Sequence, residues 1–486
     1  MRLANLGGIM ATIARSVVIG AVAMLCVVVY TAGSLRRLAI RDRHARAIDR
    51  ARQRGRLLRW SFSRLGASFI KVGQVMSARA DLLAPQVIDE LSKLQDRVPP
   101  FAFRHVRRIV ERELGVAVGN VFRELDQDPI AAGSIAQVHR GVLHSGDEVA
   151  IKVLRPHVHA TVRRDARLLL WLAHLAQLAS RRARAAEVVG HTKSLVAGIV
   201  SQTDLGREAE NYDRFRADFM GVVGLAFPRV YHRYSTRAVL TMELVHGAHL
   251  ERVRPEHVAQ VTRVLRDTFF AMCFEHGLVH ADLHPGNVLV RDDGTVVVLD
   301  VGLVKHLDPD AIQRLLELSR CLVLGSGADL VAHLRTHHRH AANTDWDAVA
   351  KDAMAFMTKL RRCSMAELEL SAIVGELFAL ARKHQICPMP EFSLVLLGMV
   401  TIEGIAKRLD PQANTLAEIA RYLGPRIARE GALARGSREW IQPPITAGAP
   451  SLPHPDPVPV PESPVNDTPP PPAVSRTRTR TRGLGH

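Results

Sequence analysis

The run His280-Ala281-Asp282-Leu283-His284-Pro285-Gly286-Asn287 is followed, thirteen residues after its asparagine, by Asp300-Val301-Gly302. This spacing constrains the fold more tightly than any other part of the chain. Val288-Leu289-Val290 and Thr295 to Leu299 read as two short buried strands, joined through Arg291-Asp292-Asp293-Gly294 by an Asp-Gly turn. Such a hairpin brings Asn287 and Asp300 back beside one another. Phosphoryl transfer needs an acid facing the acceptor and two further oxygen ligands holding a divalent cation on nucleotide phosphates, because its catalysis is mostly positioning and charge neutralisation. Asp282, Asn287 and Asp300 supply that set. Each residue type is also common in turns, so the reading rests on their order and spacing.

The order of parts resembles the catalytic loop and metal-binding loop of the protein-kinase-like fold, with Ala281 where protein kinases carry Arg and Val301 where they carry Phe. The expected fold class is α+β. It is a bilobed protein-kinase-like fold with a helical N-terminal extension, preceded by a transmembrane helix.

Length and composition are compatible with this: 486 residues, 47% of them hydrophobic, suffice for two or three domains with a sizeable core. Cys26, Cys273, Cys321, Cys363 and Cys387 are scattered, with neither the close pairs of a zinc site nor a secretory disulfide framework. The net charge of +17 is concentrated: eleven arginines and only two acids, Asp42 and Asp49, lie between Arg36 and Arg64. That block comes after eighteen uncharged residues from Ser16 to Gly33, the short end of what spans a bilayer as a helix. A cleaved signal peptide would carry its positive charge before the apolar run; here Arg2 and Arg15 are outnumbered by the block after it. The expectation is a single-pass anchor in the cell membrane, with the remainder in the cytoplasm and the arginines on anionic headgroups. A helix buried in a core is the rival reading. Charge clustered beside the anchor, with aromatics at only 5%, argues against nucleic acid as a partner.

Domains are expected as an anchor over 1–35, a basic juxtamembrane segment over 36–59, a helical extension over 60–125, a small kinase-like lobe over 126–245, a large lobe over 246–440 and a disordered tail over 441–486. Within them, Trp60 to Leu94 reads as helix, as do Phe103 to Leu114, Ala160 to Ser180 and Val188 to Phe219. Strands are expected over Ser134 to Val142, Glu148 to Val153 and Ala238 to Glu243. The tail holds thirteen of the twenty-six prolines between Pro443 and Pro472, then Arg-Thr repeats from Arg476 to Arg482, a composition that cannot build a packed core.

In Val149-Ala150-Ile151-Lys152-Val153 a lysine ends an apolar strand, where an ammonium is costly without an anionic partner. A kinase-like lobe supplies nucleotide phosphate and a helix glutamate. Glu208 is the expected partner, with Glu210 as the competing choice.

Three further stretches name a family. Lys71-Val72-Gly73-Gln74, then Ser77 to Pro85 and Leu91 to Pro100, resembles the Lys-x-Gly-Gln extension of the UbiB (AarF-like) family of atypical kinases. Ala131-Ala132-Gly133-Ser134-Ile135-Ala136-Gln137-Val138-His139 is similar to that family's Ala-rich loop, and the insertion before Glu208 is also like the family's. The resemblance covers roughly residues 60 to 425. It implies binding of ATP (or ADP) with Mg²⁺ and action on or near isoprenoid lipid or quinone biosynthesis, with membrane lipid and proteins of that pathway as partners. It also implies that Lys71 and Gln74 gate the pocket. Gly133 and Ala136 exchange the small residues of the usual family loop, which bears on nucleotide preference. Val301 in place of Phe bears on how firmly Asp300 is set.

The expected mechanism has Lys152 on the α and β phosphates, oriented by Glu208, with Mg²⁺ on Asn287 and Asp300. Backbone amides of Ala131, Ala132, Gly133, Ser134, Ile135 and Ala136 cover the phosphates. Asp282 takes a proton from the attacking oxygen or orients it, that oxygen being water or a small lipid-linked hydroxyl. His280 braces the loop and His284 stabilises its turn. Two alternatives stand beside this. One is a small-molecule phosphotransferase, since the loop also resembles that of aminoglycoside phosphotransferases, although these lack the Lys71 to Gln74 segment. The other is a nucleotide-binding pseudokinase scaffold at the membrane.

Overall fold

A computed structural model of the chain describes residues 2–37, 42–77, 83–94, 99–179, 188–362, 369–411 and 418–426. The tail expected over 441–486 lies outside the described residues. The apolar run belongs to helix α1 (Arg2–Arg36), in which Ala14–Ser34 has a mean hydropathy of 2.2 over 21 residues, long and apolar enough to cross a membrane. The basic block is itself helical, forming most of α2 (Arg43–Leu65), which Asp42 caps by accepting from the N–H groups of His44 and Ala45. Arg15 ties α1 to two later segments of the chain: its guanidinium donates to both carboxylate oxygens of Asp165 at 2.9 Å and to the Leu65 carbonyl at 2.6 Å.

The single helix expected over Trp60 to Leu94 is divided. Gly66 adopts φ +90°, a left-handed value that ends α2, so α3 (Ala67–Ser77) starts afresh, and α4 (Pro85–Leu91) is a further short helix. Helix α5 (Phe103–Leu114) matches its expected bounds and ends on Gly115 at φ +71°.

The small lobe is a five-stranded antiparallel sheet of β1 (Phe122–Leu125), β2 (Ala131–Ala132), β3 (Ala136–Leu143) and β4 (Glu148–Leu154), completed by β6 after a short β5 (Leu225–Ala226) that belongs elsewhere. Strand β6 is Val239–Glu243 and pairs with β4, placing Leu240 opposite Lys152. Alternation along β4 sorts its side chains between two cores. Val149, Ile151 and Val153 pack with Val106, Ile109 and Val110 of α5, three helix positions on one face. Full burial of each contributes about 1.5–3 kcal/mol. Ala150 and Leu154 face the other core, and Lys152 shares their side.

Helix α6 (Val158–Ala179) and the pair α7 (Val188–Ser201) and α8 (Leu205–Asp218) form the insertion and its continuation. The one helix expected over Val188 to Phe219 is therefore two. The reason is local: the Asp204 carboxylate accepts from Gly206 N–H at 3.1 Å and starts a new helix.

In the large lobe, β7 (Ala248–His249) precedes α9 (Val258–Phe274) and β8 (Leu278–His280). The hairpin of β9 (Val288–Val290) and β10 (Val296–Val298) pairs Val288 with Val298, and its turn glycine, Gly294, takes φ +82°. Strand β11 (Val304–His306) pairs antiparallel with β8, setting Val304 opposite His280. Helices α10 (Pro309–Leu324), α11 (Gly327–His337), α12 (Trp346–Arg362), α13 (Leu370–Lys383) and α14 (Pro390–Leu409) follow, and residues 418–426 are helical as well.

Candidate active site

Strand alternation delivers Lys152 to the face of its sheet that carries Ala150 and Leu154, and α8 delivers Glu208 on its first turn, where a carboxylate is favoured by the helix dipole. Lys152 Nζ donates to Glu208 Oε1 at 2.7 Å and Oε2 at 2.9 Å, and to Asp300 Oδ2 at 3.2 Å. Glu210, the competing choice, is exposed. Burial pulls the Lys152 ammonium down, but the carboxylates of Asp300 and Glu208 outweigh it and hold the group above the ordinary lysine range. Burial pushes Glu208 up to about 7 against the pull of Lys152. For Asp300, burial acts upward but is overcome by Lys152 and the Gly302 N–H, which hold its carboxyl well below the usual range.

His280 joins the two motifs. Its Nδ1 accepts from Asp282 N–H at 3.2 Å, so Nε2 carries the proton and donates to the Asp300 carbonyl. Burial lowers its pKa, keeping the ring neutral. Asn287 Nδ2 donates to the Asp282 carbonyl at 3.0 Å, which directs its amide oxygen away from that bond. His284 Nδ1 accepts from Gly286 N–H at 3.1 Å, a turn contact. Asp300 and Asn287 thus offer hard oxygen donors across the β9–β10 hairpin, a donor set suited to Mg²⁺ rather than to softer metals.

Helix α3 brings Lys71 against the loop of the His-Ala-Asp run: its Nζ donates to Asp282 Oδ2 at 2.7 Å. Gly73 lets α3 pack closely on its neighbours, since a Cβ there would stand 2.2 Å from Leu94 Cδ1 and 2.7 Å from Phe62 Cδ2. Gln74 Oε1 is buried with no hydrogen-bond partner among the described residues. The Ala-rich loop is a tight turn in which Ala131 and Ala132 pair with Val138 and Gln137. Gly133 N–H donates to the Ala136 carbonyl at 2.8 Å, so that amide is spent within the turn; Ser134 is buried. Arg155 Nε donates to the Gly133 carbonyl, and Arg155 N–H to that of Ile135, both at 2.8 Å.

Sequence reasoning missed two residues. Asn211 Nδ2 donates to the Val301 carbonyl at 2.8 Å, and the fully buried Tyr212 donates its hydroxyl to the Leu299 carbonyl. Glu208, Asn211 and Tyr212 occupy positions i, i+3 and i+4, one helix face. That spacing was the available signal. Val301 itself is fully buried, and the segment from Leu299 to Gly302 is held from α8, from Lys152 and from His280.

Two family models match the chain, an ABC1 atypical kinase-like domain over residues 93–332 and a UbiB helical domain over residues 354–414. A probable protein kinase UbiB of Pseudomonas entomophila is 30% identical over 436 residues, 83% of this chain and 76% of that protein. The chain belongs to the UbiB family of atypical kinase-like proteins. Another relative, Protein ACTIVITY OF BC1 COMPLEX KINASE 7, chloroplastic, of Arabidopsis thaliana, is 32% identical over 77% of this chain. The UbiB-family chain spans 54% of that relative's length, and 55% and 64% of two Synechocystis relatives. Among solved structures, that of Rv3197 with erythromycin from Mycobacterium tuberculosis matches with a TM-score of 0.43 at 20% identity, over 70% of this chain and 91% of that one. Membership rests on the sequence matches.

Proposed function

We propose that this chain is a membrane-anchored atypical kinase or ATPase that uses Mg-ATP and supports isoprenoid lipid or quinone biosynthesis. The observation that carries the reading is the meeting of Lys152, Glu208 and Asp300 in one hydrogen-bonded group, with Asp282 and Asn287 on the adjoining loop. When bound, Mg-ATP supplies the transferable phosphoryl group and the charge that neutralises it. Lys152, oriented by Glu208, would meet the phosphate charge, and Asp300 and Asn287 would hold the cation. Asp282 orients the attacking hydroxyl or water, which requires Lys71 to release its carboxylate. The family supports the phosphotransferase class, and the apolar span of α1 supports the anchor; the arginines that follow the span are the ground for placing the catalytic part in the cytoplasm.

A second reading, a nucleotide-binding scaffold without turnover, is favoured by one observation. Asp282 is already engaged by Lys71.

Equilibrium titration with a fluorescent ATP analogue tests the binding half of the proposal. Mg²⁺-dependent binding should weaken about tenfold or more in Lys152→Ala, since a charged hydrogen bond contributes about 1.5–3 kcal/mol. Binding indifferent to both Mg²⁺ and Lys152 would remove the nucleotide site from this group of residues.

A further inference from the structure

Helices α10 and α11 form a hairpin that begins three residues after β11, and it carries a second group of ligand-type side chains. His333 and His337 lie one turn apart on α11, and Glu317 faces them from α10. One ligand atom from each lies within 4.8 Å of the other two. His337 Nε2 and Glu317 Oε2 are 3.1 Å apart, close to the edge of a tetrahedron built on bonds of about 2.0–2.1 Å. A second observation points the same way. His333 is only 5% exposed, and its Nε2 is buried with no hydrogen-bond partner among the described residues. A buried imidazole nitrogen without a partner is costly unless something accepts its lone pair or its proton.

We propose that Glu317, His333 and His337 form a binding site for a borderline divalent transition metal, Zn²⁺ above all, which clamps α10 to α11. Two imidazoles and a carboxylate are a zinc donor set, and two histidines four residues apart on one helix are a recurrent way of presenting it. The same set is too poor in oxygen for Mg²⁺ or Ca²⁺. Three protein ligands leave a fourth position for water. A cavity of about 560 Å³ lined by His337, His338, Arg339 and Cys387 gives an entry path. Positive charge opposes the site: Arg314, on α10 and met by Asp308 at 3.7 Å, lies near His333. Glu317 supplies the compensating negative charge at the ligand atoms. The clamp is separate from the Asn287 and Asp300 pair, whose donors are all oxygen.

The full chain, purified without a histidine tag and stripped with chelator, is titrated with ZnCl₂ in competition with a chromophoric chelator, and Co²⁺ is added in parallel for its visible spectrum. The expected result is one Zn²⁺ per chain, unchanged in Asp300→Asn, weakened about tenfold or more in His337→Ala and in Glu317→Gln. Co²⁺ should give a tetrahedral-type spectrum in the wild type that both variants lose. His337 is partly exposed, so its replacement leaves the fold intact, and Glu317→Gln keeps the shape of the side chain. Zinc bound equally well by His337→Ala and Glu317→Gln, zinc lost only in Asp300→Asn, or no stoichiometric zinc at all would each overturn the proposal.

Discussion

Lys71 and Asp282, 211 residues apart in the chain, meet through a hydrogen bond of 2.7 Å, with the lysine largely buried and a third of the aspartate side chain exposed. The contact places the Lys-x-Gly-Gln helix on the loop that carries the aspartate expected to take a proton from the attacking oxygen or to orient it. Removing the ammonium leaves a carboxylate that water can reach, so the fold should survive. In Lys71→Ala, hydrogen exchange of the α3 amides 67–77 should accelerate several-fold. Unchanged exchange would mean that Phe69 and Val72, both buried, hold α3 without the ion pair.

The closeness of α3 to its neighbours gives a second test. Gly73→Ala would drive a methyl into Leu94 and Phe62. Overpacking of this kind costs about 1–3 kcal/mol, to be read from the denaturant midpoint. A neutral result would show that Leu94 and Phe62 can move aside.

Tyr212 is fully buried and donates to the Leu299 carbonyl beside the Asp300 loop. Tyr212→Phe keeps the ring and orphans that carbonyl, so stability should fall by about 1–3 kcal/mol. Any nucleotide binding should weaken with it, because α8 would no longer hold Leu299. A stable variant with intact binding would assign the bracing to Glu208 and Asn211 alone.

His139 offers a pH test. Its ring is fully buried, bonded to Gln137 at Nε2 and to the Asp126 carbonyl at Nδ1, and burial lowers its pKa from the ordinary 6.5. Above 6.5 the ring is neutral in both folded and unfolded chains. Below it, the unfolded chain binds the proton first, so stability falls as pH drops. One such group contributes a slope of at most about 1.4 kcal/mol per pH unit. Denaturation from pH 7 to 5 should therefore show a shallower loss in His139→Gln than in the wild type. Equal slopes would mean that His139 titrates normally.

How much was legible beforehand depends on the range of each interaction. Helix α5 and the β3–β4 pair were readable because period and turn residues are local signals. The breaks at Gly66 and Asp204 were not, since a glycine or an aspartate inside an apolar-periodic stretch becomes a stop only when the chain takes a left-handed turn or a capping geometry there. The Asp282, Asn287 and Asp300 constellation was visible because a short hairpin folds it together. Lys152 and Glu208 could be paired only through the kinase-like order of parts, across 56 residues of chain. Asn211 and Tyr212 act on backbone carbonyls nearly ninety residues away, a contact that side-chain chemistry does not announce. The orphaned His333 nitrogen shows only once α10 and α11 are packed.

The most direct test of the central claim is phosphate release from ATP with Mg²⁺ by the full chain, with and without liposomes of anionic lipid, comparing the wild type with Asp300→Asn. Turnover that rises with lipid and is abolished by the substitution is the predicted result. Wild type and variant equally silent, while the wild type still binds nucleotide, would contradict an enzyme and leave a membrane-tethered scaffold.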